Sequence, residues 1–171
     1  QLDETGEFDT TMLDRILPHE MCHLVLSEFF GDAASPLFLD EGLAMLAESA
    51  VDNRRTELAG VALAGTAKIP LQALLALERH DVVSPAVFYA ESYSFVRFLH
   101  ARLTRSQFRQ TLLHVKAGCS LGEALQRALY VPQRDDFLPS LAAAWEHYAI
   151  EQAQYLRALR GEEDLSFQFA G

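Results

Sequence analysis

Two histidines four residues apart, His19 and His23, bracket Glu20, Met21 and Cys22. On a helix that spacing points both imidazoles from one face, about one turn apart. Two neutral nitrogen donors so placed suit a tetrahedral Zn²⁺, and Glu20, angled to the same side, suits a general base. Two ligands leave the ion short, so a second helix has to deliver a third donor and leave the fourth position to water. Glu41, in Asp40-Glu41-Gly42-Leu43-Ala44, is the candidate, and it completes a His₂Glu set. Zinc held by His19, His23 and Glu41 lowers the pKa of a bound water to about 7 and polarises a carbonyl. Glu20 then takes the water proton and returns it to the leaving amine. A tyrosine hydroxyl suits the developing oxyanion, and Tyr89 and Tyr93, which share a helix face, are both sources. The same two tyrosines also read as core packing with their hydroxyls at the boundary.

These residues need helices to position them. Met12, Leu13, Ile16 and Leu17 supply an apolar face ahead of Pro18, where the helix either kinks or restarts. From Pro18 it runs through Leu24, Val25, Leu26 and Phe29 to a stop at Gly31. Ser35 as N-cap and Pro36 at the first position start the second helix, whose early turns hold Glu41. Asp40, Glu48 and Asp52 read as solvated, although Glu48, seven residues after Glu41, is also placed to hydrogen-bond a ligating histidine. Asp52 to Thr56 is a polar break, Leu58 to Ala67 a weak helix signal, and Leu71 to Glu78 a short helix behind Pro70. Asp81 to Ser84 reads as a turn, and Ser84-Pro85 opens an aromatic-rich helix to about Leu103. Further helices cover about Ser106 to Ala117, Leu121 to Tyr130 behind the capping box Ser120-Leu-Gly-Glu123, and about Asp136 to Arg160. No stretch alternates at period two, so the expectation is a mainly α fold. It is read as one domain over 1–171, with residues 1–10 and 161–171 loose.

Composition narrows the partners. Lys plus Arg number 14 against 24 Asp plus Glu, a net charge of −10 that repels a phosphate backbone, so nucleic acid is not expected. No transmembrane segment is read in the chain. Cys22 lies inside the metal turn and is read as a small buried apolar residue rather than a ligand. A pairing with Cys119, the compartment and the oligomeric state are left open.

Three segments together resemble a known family. His19-Glu20-x-x-His23, Pro36-Leu-Phe-Leu-Asp-Glu41-Gly-Leu-Ala and Tyr89-Ala-Glu-Ser-Tyr-Ser-Phe-Val-Arg-Phe-Leu99 look like the peptidase MA-like gluzincins. These are relatives of the aminopeptidase N and leukotriene-A4 hydrolase catalytic domain. The resemblance spans about residue 14 to Trp145. It implies a multi-helix zincin-like catalytic α-subdomain, Glu41 as the third zinc ligand, and Tyr89 in preference to Tyr93 as the oxyanion donor. It also implies a zinc-dependent metallopeptidase acting on a peptide or protein substrate. Family members carry a β-sheet ahead of the metal helix that aligns the peptide, and this chain is expected to begin after it. The Gly-x-Met-Glu-Asn exopeptidase motif of the aminopeptidases is not found. The alternative from another class is a zinc-stabilised binding or assembly module that catalyses weakly or not at all. A complete catalytic set argues against it, because a structural site would close its fourth position and have no use for Glu20.

Overall fold

The computed structural model describes residues 12–48, 52–79 and 84–162. Over these there are eight α-helices and no strand, as the missing period-two pattern required. A π-helical turn, Met12–Ile16, leads straight into α1, Leu17–Phe30. Pro18 falls in the first turn of α1, where its missing N–H and fixed φ cost little, and Ile16 keeps helical angles (φ −66°, ψ −50°), so the chain passes from the π-helical turn into α1 without a break. Gly31 then ends α1 at φ 60°, a left-handed value that suits glycine.

Helix α2, Leu37–Ala47, follows a short connection and differs from expectation at its start. Pro36 occupies the cap, and the Ser35 hydroxyl caps nothing; it is buried with no partner among the described residues. Helix α3, Asn53–Ala64, corrects the reading of residues 52–56 as a break. Asp52 caps it by accepting the Arg55 N–H at 2.9 Å. The small residues that weakened the helix signal are its packing face. A Cβ on Gly60 would lie 2.4 Å from Ala153 Cβ, so glycine lets α3 and α8 touch.

Helices α4, Leu71–Ala76, and α5, Pro85–Arg102, follow. Next come α6, Arg105–Lys116, and α7, Leu121–Ala128, each opened by a capping box, and then α8, Phe137–Leu159. The turn read at 81–83 and the loose ends, apart from Gly161 and Glu162, lie outside the described residues.

The long α5 is the hub. Phe88, Phe95 and Val96 are fully buried on it, and α2 and α3 both pack against it. Trp145 of α8 is also fully buried, with its ring 5.1 Å from Phe95 and its Nε1–H donating to Ser94 Oγ at 3.2 Å. Glycine again sets the spacing where α2 meets α5. A Cβ on Gly42 would lie 2.4 Å from Val96 Cγ2 and 2.7 Å from the Ser92 carbonyl oxygen.

Among the described residues, helix α1 packs chiefly against α2, with Lys116 of α6 reaching the Phe29 carbonyl near its end. Leu26 and Phe30 enter the core, whereas Leu24 is 71% exposed and Val25 64%. Apolar residues thus lie on both faces of α1, and among the described residues the face that carries the histidines is the one covered by α2.

Candidate metal centre

The donor atoms of His19, His23 and Glu41 lie within 4.8 Å of one another. Four-residue spacing on α1 stacks the two imidazoles edge to face, with centroids 4.8 Å apart and planes at 75°. Both Nε2 atoms point at one oxygen from α2, each 4.0 Å from Glu41 Oε2. A tetrahedron of zinc bonds to nitrogen and oxygen has edges of roughly 3.4 Å, so a contraction well under 1 Å fits these donors to the ion. All three residues are half-buried, which leaves them open to solvent on one side.

The other ring nitrogens are already engaged. His19 Nδ1–H donates to Glu48 Oε1 at 3.2 Å, and His23 Nδ1–H donates to Asp40 Oδ2 at 3.1 Å. Each bond fixes the tautomer that leaves Nε2 bare, the arrangement a metal-binding histidine requires. Asp40 and Glu48 therefore do not read as solvated once the fold is seen. The Glu48 side chain is only 5% exposed and also takes hydrogen bonds from Arg15 and Arg55. Burial pushes the Glu48 carboxyl up, but the bonds to Arg15, Arg55 and His19 outweigh it and hold it below the usual carboxylate range. Its alternative role, orienting His19, is the one its geometry supports. Asp40 was missed. The signal lay in its place one residue before Glu41, which keeps it on the arc of α2 that faces α1.

The two tyrosines separate clearly. Tyr93 is 2% exposed, and its hydroxyl accepts the backbone N–H of Asp52 at 3.3 Å. Tyr89 is half-buried and lines a cleft of about 550 Å³. Burial, and then the nearby Glu41 carboxylate, push the Tyr89 phenol up and keep it protonated as a donor. Glu20 is exposed on α1, next in the chain to His19. Cys22 is partly buried and packs against the core; burial and then Asp40 raise its thiol pKa, which disfavours the thiolate a metal needs. Cys22 and Cys119 are both free thiols, so the pairing left open does not form.

Comparison with known proteins agrees with this geometry at the level of the family. No curated protein and no solved structure matches the chain. The family model for the peptidase MA superfamily matches residues 9–146, a span that includes α1, α2 and α5 with all five candidate site residues. The chain belongs to the peptidase MA superfamily.

Proposed function

We propose that the protein is a zinc-dependent metallopeptidase that hydrolyses peptide bonds in a peptide or protein substrate. The observation that carries this reading is the convergence of two bare Nε2 atoms and one carboxylate from the next helix, with both imidazoles held from behind by Glu48 and Asp40. The His₂Glu set suits zinc and leaves a position for solvent. His19, His23 and Glu41 would hold the ion, which would supply a Lewis acid able to lower the pKa of a water to about 7 and to polarise the substrate carbonyl. Glu20 takes the water proton and delivers it to the leaving amine. Tyr89, kept protonated, donates to the oxygen on which negative charge develops. Glu48 and Asp40 hold the two imidazoles in place through their Nδ1–H groups. The motif resemblance supports a place among the gluzincins related to aminopeptidase N and leukotriene-A4 hydrolase.

The test compares the chain with Glu20→Gln and His23→Ala against a quenched-fluorescence peptide library, with zinc content measured for each. The expected result is hydrolysis by the parent, loss of turnover with zinc retained in Glu20→Gln, and loss of zinc in His23→Ala. A parent that binds zinc and cleaves no faster than Glu20→Gln contradicts the reading and leaves the non-catalytic module.

A further inference from the structure

The cleft beside Tyr89 has an electrostatic character opposite to that of the rest of the chain. On a protein of net charge −10, its wall carries three guanidinium groups, Arg15, Arg54 and Arg55, against the one carboxylate of Asp52. Two of the three are already neutralised. Arg15 lies 2.9 Å from Glu48 and 3.5 Å from Asp52, and Arg55 lies 3.1 Å from Glu48 and 3.3 Å from Asp52. Arg54 is exposed and forms no ion pair or hydrogen bond among the described residues. It also sits in the first turn of α3, which contains no acidic residue. The helix dipole disfavours a cation at that end, and the Asp52 carboxylate at the cap is taken up by Arg15 and Arg55. A locally unfavourable charge on the wall of a functional cleft points to a ligand.

We propose that Arg54 determines specificity by binding a substrate carboxylate in this cleft. The substrates would then be peptides with an acidic side chain, or a free C-terminus, close to the scissile bond. This rests on the peptidase reading. Tyr89 is a wall of the cleft, and Arg15, on the same wall, bonds the Glu48 that holds His19. A peptide reacting at the metal centre therefore has this cleft directly beside it. Guanidinium matches carboxylate through two parallel N–H donors, and Arg54 is the one fork here not already filled.

The test uses the zinc-loaded Glu20→Gln chain, which binds without turnover, and dye-labelled hexapeptides read by fluorescence anisotropy. One pair of peptides differs by Glu against Gln, the other by a free against an amidated C-terminus. The expected result is about tenfold tighter binding of the acidic member of one pair, fading as salt rises. Which pair responds tells side chain from C-terminus. Adding Arg54→Glu should abolish or reverse the preference, and Arg54→Lys should restore part of it. Equal affinities within both pairs, or a preference that survives Arg54→Glu, overturn the proposal. Hydrolysis of the peptide library separates the two readings. Cleavage by the parent with no acidic preference in binding removes the Arg54 site alone. A preference abolished by Arg54→Glu, without cleavage, removes the peptidase and keeps the carboxylate site.

Discussion

Placing a methyl group on Gly42 is the sharpest perturbation of the link between packing and the metal centre. Ordinary contact between carbon and its neighbours begins near 3.4 Å, and a Cβ at Gly42 would lie 2.7 Å from the Ser92 carbonyl oxygen. Clearing that backbone atom moves α2 away from α5 by about 0.7 Å. Val96, which would be 2.4 Å from the new methyl, is fully buried and has no free space to rotate into. Overpacking of this kind costs about 1–3 kcal/mol, offset by about 1 kcal/mol from the better helix propensity of alanine. The net loss of stability is therefore modest. Glu41, however, is the residue just before it, and its oxygen already stands 4.0 Å from each Nε2. Displacement of a ligand by most of an ångström should weaken zinc binding about tenfold or more. Gly60→Ala is the matched control. Its methyl would lie 2.4 Å from Ala153 Cβ and 2.8 Å from the Ala149 carbonyl oxygen, but at the contact of α3 with α8, which carries no ligand. Zinc competition with a chromophoric chelator, alongside urea denaturation, gives both quantities. Unchanged zinc affinity in Gly42→Ala, or equal weakening in both variants, would refute the coupling.

Three further outcomes are expected. Tyr89→Phe should lower kcat about 10²-fold with zinc retained, whereas Tyr93→Phe should cost about 1 kcal/mol of stability, through its bond to Asp52, and leave kcat unchanged. Glu48→Gln should weaken zinc binding about 10- to 100-fold in the same chelator assay, because a neutral amide accepts from His19 more weakly than a carboxylate and leaves two arginines underpaired. Glu91 is fully buried; burial pushes its carboxyl up to about 8, although both its oxygens accept the Ile69 N–H. Above its ordinary value of 4.5 the unfolded chain gives up a proton that the folded chain keeps, so stability falls as pH rises from there through about 8. The loss is on the order of 3 kcal/mol by pH 7, and Glu91→Gln should flatten the dependence of urea midpoints measured from pH 5 to 9.

The candidate site residues were legible because helical spacing is local. Four-residue separation alone puts His19 and His23 on one face, and Glu41 follows from the need for a third donor. The capping box at Ser120 was legible for the same reason, and Glu123 returns its bond as expected. What needed the fold was everything set by contact between helices. Asp52 to Thr56 read as a break because the segment is polar, yet it forms the cap and first turn of α3. The stretch around Gly60 read as weak helix because its small residues are poor formers in isolation, and it is their smallness that lets α8 approach. Asp40 and Glu48 read as surface charge because their partners lie on another helix. The exposure of Leu24 and Val25 also needed the fold, because α1 has apolar side chains on two faces and, among the described residues, α2 covers one.

The most direct measurement is the zinc content of the purified chain set beside that of His19→Ala, His23→Ala and Glu41→Gln. The expected result is one ion per chain in the parent, tight enough to survive gel filtration, and none in the histidine variants, with a large loss in Glu41→Gln. A parent without stoichiometric zinc, or three variants that hold it as well as the parent does, would contradict the claim that these side chains form a metal centre.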